Sequence, residues 1–114
     1  MTVNETPTTG WLTVPEVAEI LEEPVTRVHR LLEDSSLLGS RRDGVLRIPG
    51  VFLVDARPLS SLRGTVIALH DVGLTDDEAI DWLLNYDQTL DATPIDALRA
   101  GNKAAVRRVA RILA

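Results

Sequence analysis

Leu12-Thr13-Val14-Pro15-Glu16-Val17-Ala18-Glu19-Ile20-Leu21-Glu22-Glu23-Pro24-Val25-Thr26-Arg27-Val28-His29-Arg30-Leu31-Leu32 decides the fold. Thr13 followed three residues later by Glu16 is a capping box. The threonine hydroxyl and the glutamate carboxylate can each satisfy an amide that the first helical turn leaves free. Pro15 suits that turn, where amides have no helical partner. Val14, Val17, Ala18 and Leu21 recur at i, i+3, i+4 and i+7, one face of a helix over about 14–21. Glu22-Glu23 breaks the period, and Pro24 opens a second helix over about 24–34. Val25, Val28 and Leu32 mark its buried side, leaving Thr26, Arg27, His29 and Arg30 outside or on the flank. Two short helices in tight succession, the second with a cationic and hydrogen-bonding outer face, form a helix-turn-helix. An ordinary helical hairpin with a solvated face would show the same period, so nucleic-acid binding rests on the residues that follow.

After Ser35-Ser36, the run from Leu37 to Arg42 leads into Asp43-Gly44, and Val45-Leu46-Arg47-Ile48 leads out. Asp-Gly between two short β-prone runs is a strong hairpin signal. A hairpin at this distance behind the second helix is a wing over about 38–48, with Arg41 and Arg42 at its tip. Arg47 lies on the returning strand and points outward, while Leu46 and Ile48 point inward. Two separate basic elements converge only if the fold is winged. Arg27, Arg30, Arg41, Arg42 and Arg47 are then the candidate contacts to phosphate or a base edge, and Thr26 a candidate phosphate ligand. His29 has three open roles: reading a base edge, stacking, or flanking the core.

The formal net charge of −5 opposes nucleic-acid binding at long range, but charge must be read locally. From Thr26 to Ile48 five arginines face Glu33, Asp34 and Asp43, so this window is positive. The acidic excess sits at Glu16, Glu19, Glu22 and Glu23 and around Asp76-Asp77-Glu78. A basic patch on an acidic body gives modest, strongly salt-dependent affinity.

The pattern L-T-V-P-E-V-A-E-I-L from Leu12, then P-V-T-R-V-H-R-L-L from Pro24, then R-R-D-G-V-L-R-I-P from Arg41 resembles the excisionase- and MerR-like winged helix-turn-helix. The turn departs from that pattern. Glu22-Glu23 stands where a glycine is common, at a position that calls for left-handed backbone.

The second half changes character. A helical period over about 61–71 contains Gly64 and stops at Gly73. Thr75 to Glu78 is a second capping box, opening a helix with Ile80, Trp82, Leu83 and Leu84. Thr93-Pro94 caps a third helix, stopped by Gly101, and Asn102 is placed to cap a fourth carrying Val106, Val109 and Ala110. Trp82 reads as core. Arg107, Arg108 and Arg111 read as one side of the last helix, where they suit its dipole. The order G-L-T-D-D-E-A-I-D-W-L-L-N, L-D-A-T-P-I-D-A-L-R-A-G, V-R-R-V-A-R-I-L is similar to small helical C-terminal modules of two groups. One is an actinobacterial group of winged-helix DNA-binding proteins, the other an antitoxin family whose C-terminal domain binds a toxin. The whole-chain order looks most like the actinobacterial group. That resemblance implies DNA binding in regulation.

The expected architecture is therefore mainly α with a small β-hairpin wing. A flexible tail (1–11) precedes a winged helix-turn-helix (12–54), and a helical module (55–114) packs on it. No cysteine is present, which excludes disulfides and thiolate metal sites. His29 and His70 sit in different expected helices, so no metal centre is expected, and no cofactor. No phosphate loop or nucleophile elbow occurs, and no enzyme is expected. No apolar run approaches a membrane span and no signal-peptide pattern opens the chain, so a cytoplasmic protein is expected. Without a long heptad helix, a monomer is expected. The expected partners are double-stranded DNA and a Ser/Thr protein kinase. Thr9, with Thr8 second, lies in an accessible threonine-rich segment ahead of Trp11 and Leu12, which are possible apolar anchors. The alternatives are an antitoxin-like interaction module with a vestigial wing, and a recombination accessory protein of excisionase type.

Overall fold

The computed structural model describes residues 10–113, which form two compact units divided between Leu59 and Ser60. The tail bearing Thr8 and Thr9 lies outside the described residues.

The first unit opens with strand β1 (Trp11–Thr13), then helices α1 (Val14–Leu21) and α2 (Val25–Glu33), then strands β2 (Ser40–Arg42) and β3 (Val45–Pro49). The capping box at α1 is complete. Glu16 N–H donates to Thr13 Oγ1 at 3.3 Å, and Thr13 N–H donates to Glu16 Oε1 at 2.7 Å. Donation from the Thr13 N–H and from the Thr13 hydroxyl (Oγ1 to Oε1, 3.1 Å), aided by the charge of Arg47, holds the Glu16 carboxyl below its usual range. Glu22 ends the helix in the left-handed region (φ 56, ψ 44), with its N–H on the carbonyls of Ala18 and Glu19. The expected left-handed turn residue is thus present without glycine, at a cost of about 1–2 kcal/mol.

The buried stripe of α2 is Val28 and Leu31, and Leu32 is half-buried. Val25, expected inside, is 41% exposed. It stands on the first turn, and the burial of α2 begins one turn later.

Asp43 (φ 54) and Gly44 (φ 78) both take positive φ, the two-residue turn whose twist matches a hairpin. The wing is joined by a third strand that the sequence pattern did not reveal. β1 pairs antiparallel with β3, giving the order β1-β3-β2. Trp11 and Gly10, read from the sequence as the end of a tail, are tied into this sheet. Trp11 lies opposite Pro49, and Gly50 N–H donates to Gly10 O at 2.7 Å. Leu12 and Ile48 pair on the inner face and are buried.

A 3₁₀ turn (Gly50–Phe52) places Phe52 wholly inside. The chain then continues as β4 (Leu53–Val54), paired with β5 (Arg57–Pro58). Residues 55–58 are therefore the bend and return of a second hairpin. Its turn residues Asp55 and Ala56 both have positive φ.

The second unit is α3 (Leu62–Asp71), α4 (Asp76–Leu84), α5 (Pro94–Arg99) and α6 (Lys103–Arg111). Thr75 and Glu78 form the expected capping box, and Thr93 Oγ1 accepts from Asp96 N–H. Asn102 makes no side-chain cap; its backbone N–H instead donates to Ala97 O. Ala79, Ile80 and Leu83 are the buried stripe of α4. Trp82, expected as core, sits one position around the helix and is half-buried.

Arg107 does not share the outer side of α6 with Arg108 and Arg111. It crosses to α3, donating from Nη2 to Ser61 O (3.2 Å) and from Nε to Thr65 Oγ1 (3.4 Å). A Cβ at Gly64 would lie 2.5 Å from Arg107 Nη2. The glycine inside α3 therefore makes room for this guanidinium.

Candidate nucleic-acid interface

The outer side of α2 follows from its inner side. With Val28 and Leu31 buried, the opposite stripe is Thr26, His29, Arg30 and Glu33, at i, i+3, i+4 and i+7. All four are exposed. Arg27 and Val25 flank that stripe on its two sides and are also exposed. Each of the four residues expected to contact DNA from this helix is therefore accessible, and the core-flanking role of His29 is excluded by its exposure. No side chain caps α2, whose N-cap position is Pro24. First-turn amides without such a cap can face an anion. The carboxylates of Glu16 and Glu19 on α1, and of Glu22 and Glu23 in the turn after it, are exposed as well, so the cationic surface borders an acidic one.

The strand register sorts the wing arginines. Arg41 pairs with Leu46, Arg42 with Val45 and Ser40 with Arg47. Successive residues alternate faces, so Arg42 and Arg47 share the outer face with Trp11 and Thr13. Arg41 belongs to the opposite face, at its exposed end. Arg41 and Arg42 are exposed and Arg47 is half-buried. The charge of Arg47 is partly committed to Glu16. Arg42 lies over the Trp11 ring, with its Cζ 4.0 Å from the ring centroid.

Trp11 is the residue of this surface that the sequence pattern did not assign. A three-residue strand pairing with a partner more than thirty positions away leaves no local signal. Val25, an exposed apolar group at the head of α2, was hidden by a period that fitted burial.

Among the described residues no group of side chains could hold a metal ion, and no helix is long and apolar enough to cross a membrane.

An α1-turn-α2 pair backed by a three-stranded sheet, with a basic hairpin behind the second helix, defines a winged helix-turn-helix protein. Two family models match in tandem. The wHTH domain of the DNA-binding protein Rv2175c covers residues 6–53, and the Rv2175c C-terminal domain of unknown function covers residues 59–114. The DNA-binding protein Rv2175c of Mycobacterium tuberculosis (strain ATCC 25618 / H37Rv) is 35% identical over 114 residues, covering 89% of this chain and 78% of that protein. The NMR structure of Rv2175c superposes with a TM-score of 0.84 at 31% identity, covering all of this chain and 86% of that one. The chain belongs to the Rv2175c family.

Proposed function

We propose that this protein binds double-stranded DNA by setting α2 in the major groove and the β2–β3 wing against the backbone or minor groove. The observation that carries this reading is the joint exposure of Thr26, His29 and Arg30 on the outward stripe of α2 and of Arg41 and Arg42 on the wing. The relative named as a DNA-binding protein supports it. Arg30, at the middle of the stripe, reads a base edge, and Arg27, on the flank, anchors a phosphate. Thr26 and the first-turn amides of Val25 and Thr26 hold a second phosphate. His29 faces the same groove, and Val25 offers an apolar contact suited to a thymine methyl. Arg47, half-buried on the returning strand, supports the wing.

The pair Arg30 and Arg27 gives the test. Arg30→Ala should relax preference at one base position, costing about 1–3 kcal/mol there. Arg27→Ala should weaken binding to all sequences alike. Uniform loss for both variants would reduce α2 to a phosphate anchor and remove base reading.

The same reading extends to a transcriptional regulator working in the cytoplasm as a monomer, with Thr9, and second Thr8, as sites for a Ser/Thr kinase. A phosphate adds about −1.5 to −2 charges at neutral pH, at Thr9 two residues ahead of β1 in sequence. Thr9→Glu should therefore weaken binding, most at low salt where screening is least. Equal affinity of Thr9→Glu, Thr8→Glu and the parent at two salt concentrations would discard the electrostatic switch.

A further inference from the structure

Arg42 and Trp11 lie on opposite edge strands of the sheet, and their side chains reach toward each other across β3. Neither is next to the other in sequence or in register: Trp11 faces Pro49, and Arg42 faces Val45, four residues along the same strand. The guanidinium carbon nevertheless lies over the ring, 4.0 Å from its centroid, a contact distance. We infer that Trp11 is a positioning residue for the wing, holding Arg42 extended over the outer sheet face with its donors free for DNA phosphate.

The chemistry of the two groups makes stacking and phosphate binding compatible. A guanidinium's five N–H groups lie in its own plane, and its faces carry none. Contact with an indole face therefore uses a surface that phosphate does not need. Tryptophan offers the strongest aromatic face for a cation. Arg42 remains exposed in this arrangement, so its edge is open to a ligand. An arginine on a hairpin tip otherwise samples many rotamers, and ordering it on binding lowers affinity. The indole removes part of that cost in advance. The Trp11 backbone is held by its strand pairing and by the neighbouring Gly50 to Gly10 hydrogen bond, so the platform is anchored in the sheet.

This inference rests on the wing contacting DNA, and a double-mutant cycle separates the two. Affinity of the full chain for a mixed-sequence duplex would be measured at several salt concentrations for the parent, Trp11→Leu, Arg42→Ala and the double variant. Trp11→Leu should weaken binding by about threefold to tenfold, the cost of ordering one long side chain. Its salt slope should stay unchanged, because the phosphate contact survives. In the Arg42→Ala background the same substitution should cost nothing further. Trp11→Phe should keep most of the parent affinity, and it carries the cycle if Trp11→Leu unfolds in a thermal melt. Equal losses from the Trp11 substitution in both backgrounds would show a merely structural tryptophan and overturn the inference. Tighter binding by Trp11→Leu would also overturn it, since the ring would then be withholding Arg42. An Arg42→Ala variant with unchanged affinity and slope would overturn this inference, and the wing's role falls with it only if Arg41→Ala is silent as well. A loss in Arg42→Ala without coupling to Trp11 would sink the inference alone.

Discussion

Phe52→Ala is expected to cost the first unit about 3–5 kcal/mol, the range for removing a fully buried aromatic ring. Phe52 is the chain's only phenylalanine and has no exposed surface. It sits on the 3₁₀ turn that carries the chain from β3 into β4, and its carbonyl accepts from Leu59 N–H at 2.8 Å. The rest of that core is aliphatic, led by Leu37, Ile48, Leu53 and Val28. None of these has the volume to fill the void. A unit of this size rarely holds more than about 3–5 kcal/mol from one core, so most of the winged helix should be unfolded at room temperature. Each unit carries its own reporter, Trp11 in the first and Trp82 in the second. Urea unfolding followed in a Trp82→Phe background isolates the Trp11 signal. A midpoint within error of the parent would mean that Phe52 is not part of a packed core.

Replacing Arg41 and Arg42 together with alanine is expected to weaken binding to all duplexes by roughly tenfold to a hundredfold at low salt, the loss of two charge-assisted contacts on a surface. Each phosphate contact adds about 0.9 to the slope of log affinity against log salt, so the slope should fall by nearly two. The two arginines point to opposite sheet faces, and both slope units are lost only if the hairpin tip presents both faces to the backbone. A fall of one unit would assign the contact to a single face. An unchanged slope would detach the wing from DNA altogether. The acidic residues of α1 predict the same salt sensitivity from the other side, because they withhold the long-range attraction that would otherwise mask local losses.

Much of this was legible in the sequence because the decisive signals are local. Thr13 with Glu16, Thr75 with Glu78, Thr93-Pro94 and Asp43-Gly44 each act within four residues, and each does in the structure what its chemistry requires. The missed features are those whose cause lies far along the chain or in an atypical turn. β1 exists because β3 offers it a partner. The β4–β5 hairpin turns on Asp55-Ala56, where the backbone takes positive φ without a glycine to announce it. Arg107 looked like one more cation on an outer face, and only the approach of α3, opened by Gly64, makes it an internal clamp. Val25 and Trp82 fitted a buried period but stand beyond or beside the stripe that is covered. For the interface, the arginines of α2 and the wing could be read from spacing and charge. Trp11 could not, because its contact with Arg42 reaches across three strands.

Backbone amide shifts of labelled protein titrated with duplex DNA report whether DNA meets the outward stripe of α2 and the wing, as proposed. The expected result is the largest displacements at residues 25–30 and 40–47, with Trp11 moving alongside Arg42 and the α4 amides unmoved. Displacements confined to the second unit, with α2 and the β2–β3 hairpin unchanged at saturation, would contradict it.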